Sequence, residues 1–191
     1  MSSFICPGCG RRTAKQRVVP EYRYRECGLS DVVLCGGVIE ANCGHCDERF
    51  VAVPGEWQVL QLIALALLTS QQRLTGPQMK YLRGACDLSQ ATLAKTLRKR
   101  RETVAERESQ LDPRISEAEE VWFRLAILEA FSQHLSQPDR NFLAPVHLKA
   151  LRTFAAEFSR TALAIAEREH RPLPLRLRRA GDLWKATGRA A

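Results

Sequence analysis

The sequence has no long run of apolar residues and few aromatic residues. Its longest apolar stretch, Val59 to Leu68, is much shorter than the ~20 residues that a membrane-spanning helix needs, and it predicts a buried helix instead. The first residues, MSSFICPGCG, have neither the basic nor the apolar segment of a secretory leader, so we expect a cytoplasmic protein with no membrane partner. With 45% hydrophobic and 26% charged residues, the 191-residue chain can still bury a core.

Recognisable catalytic groups are also missing. No paired carboxylates, nucleophile–base pair or glycine-rich phosphate loop stands out, and His134, His147 and His170 are widely spaced without an acid or nucleophile beside them. We therefore do not expect an enzyme. The net charge of +8 favours polyanionic partners, with nucleic acid as the first choice and a merely soluble basic protein as the alternative.

Four of the seven cysteines stand in two CxxC motifs, Cys6-Pro7-Gly8-Cys9 and Cys43-Gly44-His45-Cys46. Each motif places two thiolates on one tight turn. Together, Cys6, Cys9, Cys43 and Cys46 predict a tetrahedral site for one structural Zn²⁺ per chain. In a reducing cytoplasm this reading is favoured over two disulfides or four free thiols.

The other potential ligands near these motifs are expected to have other roles. His45 lies between two predicted ligands and is expected to point away from the metal. Cys27 and Cys35 lack a CxxC partner and are expected to pack as small apolar residues in the connecting strands. The alternative, in which Cys27 or Cys35 replaces one of the four ligands, stays open.

Changes in residue pattern divide the chain into four parts and predict an α+β fold. Residues 1–55 alternate like strands around the CxxC motifs, which predicts a small zinc-stabilised β domain. Residues 56–110 show helical spacing and predict a helix-turn-helix domain. Residues 111–170 predict an added C-terminal helical hairpin, and residues 171–191 predict a basic, mobile tail.

The stretch from Leu88 to Glu108 contains the basic block Arg98-Lys99-Arg100-Arg101. Ser89 is a good N-cap for a first helix, and Val104 would pack back on it after a turn, which predicts a helix-turn-helix. Because nothing between residues 89 and 110 is Gly or Pro, one continuous basic helix is the alternative.

The motifs together resemble the MqsA/YgiT family of zinc-binding, helix-turn-helix antitoxins. CPGCG, then CGHC, then LTGPQMKYLRGACDLSQATLAKTL occur in the order and spacing of that family, over roughly residues 4–108. The resemblance implies an N-terminal zinc domain that binds a toxin. It also implies a homodimer whose helix-turn-helix binds operator DNA and represses its own operon. It implies that Cys6, Cys9, Cys43 and Cys46 hold the zinc and that the DNA-facing positions are Gln90, Arg101, Glu102 and Thr103.

The physical roles of the DNA-facing residues follow from their chemistry. Gln90 can donate to a phosphate, and Lys99 and Arg100 of the basic block add positive charge for further phosphates. Arg101 and Glu102, at the start of the second helix, would reach base edges in the major groove.

The chain departs from the family pattern at the turn. Arg98 stands where the family's turn usually begins with glycine, and a left-handed backbone there would cost ~1 kcal/mol or more. Lys99 replaces the usual apolar turn residue and Arg100 the usual small N-cap. The alternative from a different class is a protein-interaction module, or a stand-alone zinc-finger regulator without a toxin, in which the basic helix is only a solvated face.

Overall fold

A computed structural model describes residues 5–12, 15–70, 72–135 and 175–187 of the chain. Within these ranges the fold is α+β: three strands come first, five helices follow, and two strands come last. The strands are β1 (Lys15–Arg23), β2 (Val32–Asn42), β3 (Arg49–Ala52), β4 (Leu175–Ala180) and β5 (Leu183–Ala186). The helices are α1 (Glu56–Thr69), α2 (Gly76–Ala85), α3 (Gln90–Thr96), α4 (Arg101–Ser109) and α5 (Glu117–Leu135).

The long strand β2 is the centre of the sheet. β1 runs antiparallel along one side of it, and the other side is shared by β3, which is antiparallel, and β4, which is parallel. Gly36 and Gly37 both have positive φ, and β2 passes through them without ending. The side chain of Arg179 lies so close to Gly37 that a Cβ would overlap it, so this contact requires glycine.

The prediction of a mobile basic tail is wrong for residues 175–187. These residues form β4 and β5, and Leu177 and Trp184 are fully buried against the rest of the core. The indole Nε1 of Trp184 donates to the carbonyl oxygen of Pro54 at 2.9 Å, and its backbone N–H donates to Oε1 of Gln58 at 3.3 Å. The segment is basic in composition, but β4 is an amphipathic strand in which charged side chains face water and apolar side chains face the core.

Helix α1 contains the apolar stretch from Val59 to Leu68 that predicts a buried helix, and it lies in the core rather than on a free surface. Its apolar side chains are buried on several sides, because the sheet packs on one side and α2 on another. Buried residues of the strands and of the helices form one continuous cluster. The predicted boundary at Pro54-Gly55 therefore marks the change from strands to helices, while the core continues across it.

A buried arginine of α5, which is paired with a glutamate of the same helix, connects α5 to the end of α1. Arg124 and Glu120 are both fully buried, with 2.8 Å between Nη2 and Oε1. The Nη1 of Arg124 donates to the carbonyl oxygens of Leu67, Leu68 and Ser70, at 2.8, 3.0 and 3.0 Å. Carbonyls at a helix C-terminus have no partner within the helix, so the guanidinium of Arg124 supplies a cap that the sequence of α1 lacks.

The prediction of an added C-terminal helical hairpin needs correction. Its first helix is present as α5, and its second predicted helix, from Pro145 to about Glu169, lies outside the described residues. The described chain ends in strands rather than in a hairpin of helices. Across the described ranges, no helix combines the length and the apolar character that crossing a membrane requires.

Candidate metal centre and nucleic-acid surface

The first CxxC motif folds into a tight turn held by two backbone hydrogen bonds. The N–H of Cys6 donates to the carbonyl of Arg11 at 2.8 Å, and the N–H of Gly10 donates to the carbonyl of Cys6 at 2.9 Å. Gly10 has a φ of 70°, which lets the chain reverse immediately after the second cysteine.

The second CxxC motif repeats this turn with different residues. The N–H of Cys43 donates to the carbonyl of Glu48 at 2.9 Å, and the N–H of Asp47 donates to the carbonyl of Cys43 at 3.0 Å. Asp47 takes the place of glycine and has a φ of 55°, which Asp and Asn tolerate better than most residues do. The two motifs are thus structural copies that bring their sulfurs to one point.

The four predicted cysteines meet in one cluster. All four Sγ atoms lie within 4.8 Å of one another, with 3.6 Å between Cys6 and Cys46 and 3.5 Å between Cys9 and Cys43. A tetrahedron of thiolates around Zn²⁺ at ~2.3 Å has sulfur–sulfur edges of about 3.8 Å. The donor set and the separations therefore fit one metal ion such as Zn²⁺, in a site with no open position.

The surroundings of the cluster favour thiolate at Cys43. Backbone hydrogen bonds from His45 first, and also from Cys46, help to lower the pKa of the Cys43 thiol to about 7. The His45 ring lies outside the thiol cluster, with Nδ1 3.4 Å from Nη1 of Arg11, as expected. Cys27 and Cys35 are half-buried and do not belong to the cluster either; the Sγ of Cys27 donates to the carbonyl of Tyr24.

Helices α3 and α4 are joined by a tight turn, so the alternative of one continuous helix is wrong. Arg98 has a φ of 52°, the left-handed conformation that glycine would adopt at this position at lower cost. The N–H of Lys99 reaches back to the carbonyl of Ala94 at 2.9 Å, and α4 begins at Arg101. The side chains of Leu93 and Val104 are buried where the two helices pack together.

Helix α2 packs closely against the end of α4. Thr75 and Gln78 form a capping box at its start, with Pro77 in the first turn. The N–H of Gly76 donates to the carbonyl of Gln110 at 2.9 Å, and a Cβ at Gly76 would overlap that oxygen. This glycine lets α2 touch the backbone that ends α4.

The structure exposes most of the predicted DNA-binding residues. Lys99, Arg100, Arg101 and Glu102 are exposed at the turn and at the start of α4, and Thr103 is half-buried. The sixth predicted residue, Gln90, is half-buried, and its Nε2 donates to Oε2 of Glu108 at 2.8 Å. Gln90 is thus engaged within the protein rather than directed at solvent.

Two acidic residues that the sequence analysis missed organise this surface. The first, Glu108 of α4, is buried, and its carboxylate accepts two hydrogen bonds from the guanidinium of Arg83 in α2, at 2.6 and 2.9 Å. Together with Gln90 it links α2, α3 and α4. Nothing in the sequence pairs Arg83 with Glu108, because the residues are far apart along the chain.

The second is Glu119, in the first turn of α5. Its Oε1 lies 2.6 Å from Nζ of Lys99 and 3.1 Å from Nη2 of Arg107. Hydrogen bonds from Lys99 first, and then from Arg107, lower the pKa of Glu119 to about 2. Ser116 and Glu119 also form a capping box at the start of α5, while the cations that Glu119 binds are brought to it by tertiary packing.

Comparisons of the chain with protein-family models, with curated proteins and with solved structures give no match. The resemblance to zinc-binding antitoxins therefore stays a prediction from the motifs.

Proposed function

We propose that the chain is a zinc-stabilised DNA-binding transcription regulator, in which the α3–turn–α4 unit reads double-stranded DNA. The observation that carries this proposal is the exposed basic turn in front of α4. Four consecutive cationic residues, 98–101, lie there on a pair of helices that pack together through the buried side chains of Leu93 and Val104. A short helix presented in this way has the dimensions that the major groove accepts.

The cations of the turn would have different tasks. Arg98 and Arg100 lie just before the start of α4 and would contact phosphates, which gives affinity without sequence preference. Arg101, the first residue of α4, would reach a base edge, since paired N–H groups of arginine match guanine. Among the described residues these three arginines have no ion pair, whereas Lys99 is already paired with Glu119.

The proposed regulator also contains a metal ion and a second copy of the chain. The four-cysteine cluster would hold Zn²⁺ as a structural ion that connects the C-terminal end of β2 to the segment before β1. A homodimer would place two copies of α4 one helical turn of DNA apart, about 34 Å, on a two-fold symmetric operator. Repression of the protein's own operon and binding of a toxin rest on the resemblance to antitoxins alone.

Fluorescence anisotropy on a labelled duplex from the protein's own promoter tests the proposal. We expect binding that weakens steeply with salt and that exceeds binding to a scrambled duplex. Arg101→Ala should remove most of this preference, since one lost base contact costs about 1–3 kcal/mol. The matched control is Arg178→Ala, which removes an exposed arginine from β4 and should leave binding unchanged. Absence of binding even at low salt would refute the proposal.

A protein-interaction module is the second candidate, and two observations favour it. Gln90 and Lys99, which were predicted to touch DNA, are bound to Glu108 and Glu119 instead. A groove of about 1010 Å³, lined in part by Lys99, runs along α5, where the side chain of Trp122 is 66% exposed. If the promoter duplex does not bind, pull-down with the Trp122→Ala variant as control becomes the decisive experiment.

A further inference from the structure

The four sulfurs of the metal centre differ in exposure in a regular way. Cys6 and Cys43, the first cysteines of the two motifs, are 1% and 0% exposed. Cys9 and Cys46, the second cysteines, are exposed to solvent. Two sulfur pairs that connect the motifs, which we call the close pairs, are Cys9 with Cys43 at 3.5 Å and Cys6 with Cys46 at 3.6 Å. Each close pair joins one exposed and one buried sulfur.

We propose that Cys9 and Cys46 are sites of oxidation by hydrogen peroxide, and that Cys43 and Cys6 then convert them to two disulfides that release the metal. A peroxide-reactive cysteine needs thiolate character and solvent access, and a second thiol nearby to complete the disulfide. Metal coordination keeps all four sulfurs deprotonated. The proposal rests on the thiolate cluster and is independent of DNA binding.

The chemistry balances for each pair separately. The exposed thiolate attacks one oxygen of the peroxide; the O–O bond breaks, the sulfur becomes a sulfenic acid and hydroxide leaves. The buried thiolate then attacks that sulfur, an S–S bond forms, and a second hydroxide leaves. Each pair thus loses two electrons to one peroxide, which is reduced to two hydroxides. Two peroxides convert all four thiolates, and the Zn²⁺ is left without ligands.

The geometry predicts disulfides between the motifs. The two sulfurs of each close pair need to approach by about 1.5 Å to reach a disulfide length of ~2.05 Å. The new bonds would connect residues 5–12 to residues 42–48, the same segments that the metal connects. We therefore expect oxidation to remove the metal while these two segments stay joined.

The remaining thiols provide internal controls. Cys86 is buried, and Cys27 and Cys35 are half-buried and outside the cluster. Cys86 is only 8% exposed, so the surrounding core shields its thiol from peroxide. Oxidation is therefore expected at the cluster before it reaches these three positions.

The experiment titrates the full-length, zinc-loaded protein with hydrogen peroxide. Released zinc is measured with a colorimetric chelator, and disulfides are mapped by mass spectrometry of non-reduced peptides. We expect one zinc released for two peroxides consumed, the disulfides Cys9–Cys43 and Cys6–Cys46, and full reversal by a thiol reductant with added zinc. Disulfides within a motif, or zinc retained with all four thiols intact, would overturn the proposal.

A trapping experiment tests the order of events without a variant that could fail to fold. Dimedone added with less than one equivalent of peroxide should label Cys9 and Cys46, and labelling of Cys6 or Cys43 instead would refute the assigned roles.

Two variants test the pairing of the sulfurs. Cys46→Ser should form only the Cys9–Cys43 disulfide, and Cys35→Ser should oxidise like the wild type. Circular dichroism of each variant checks that the fold is retained.

Discussion

Replacing Arg98 by glycine is expected to stabilise the protein, although it removes a charged side chain. The φ of 52° at Arg98 brings its Cβ close to the following carbonyl, which costs about 1–2 kcal/mol for any residue other than glycine. Glycine loses more backbone freedom on folding, which offsets about 0.5–1 kcal/mol of this benefit. The net expectation is a gain of about 0.5–1 kcal/mol over alanine at the same position.

Arg98→Ala is the matched control, because it removes the same guanidinium but keeps the Cβ. Urea unfolding of both variants gives the difference in free energy of unfolding, and thermal unfolding should show the glycine variant melting about 1–4 °C higher. The sign of this difference decides whether residue 98 has the left-handed conformation of a turn or the right-handed conformation of a continuous helix. If residues 89–110 formed one continuous helix, alanine would be the more stable by about 1 kcal/mol, and the turn would be refuted.

Three further changes test other parts of the structure. Trp184→Ala should cost about 3–5 kcal/mol of unfolding free energy. The control is Trp57→Ala, at a side chain that is 64% exposed, which should cost less than about 1 kcal/mol. Equal losses would contradict the docking of β5. Cys43→Ser should reduce bound zinc, measured by atomic emission, from one per chain to well below one, and Cys35→Ser should leave it unchanged. Folding lowers the pKa of Glu119 from 4.5 to about 2, so its contribution to stability is present above its unfolded pKa and is lost as the pH falls through 2. Between about pH 5 and pH 2, the Glu119→Gln variant should therefore lose less free energy of unfolding than the wild type. The difference should be under about 1 kcal/mol, because the ion pair is partly exposed. Urea unfolding at each pH measures it, and parallel plots of unfolding free energy against pH for the two proteins would contradict the pairing.

Much of the fold can be predicted because its signals are local. The CxxC spacing predicts the four-sulfur cluster, since two cysteines three positions apart fall on one turn whatever surrounds them. Helix starts are equally local: Thr75, Ser89 and Ser116 cap the helices that follow them, with hydrogen bonds to backbone N–H groups three residues on.

The candidate DNA surface could be predicted only in part. The basic block and the end of α3 can be located from the sequence, and the structure exposes most of these residues. The hydrogen bond from Gln90 to Glu108 and the ion pair of Lys99 with Glu119 could not be predicted, because the residues of each pair come from different parts of the chain. Which cations are free for a ligand is therefore a property of helix packing.

The amino-acid sequence alone could predict the four-cysteine cluster, the buried helix α1 and the start of α3 after Ser89, since capping, spacing and periodicity act within a few residues. Only the tertiary structure decided that residues 175–187 are strands. A segment rich in arginine has a weak local preference, and β4 becomes a strand because β2 offers it free backbone hydrogen bonds and a core that buries Trp184. Tertiary packing likewise brings the side chain of Arg124, from α5, to the end of α1. Its buried charge is stable there only because four backbone carbonyls and Glu120 surround it.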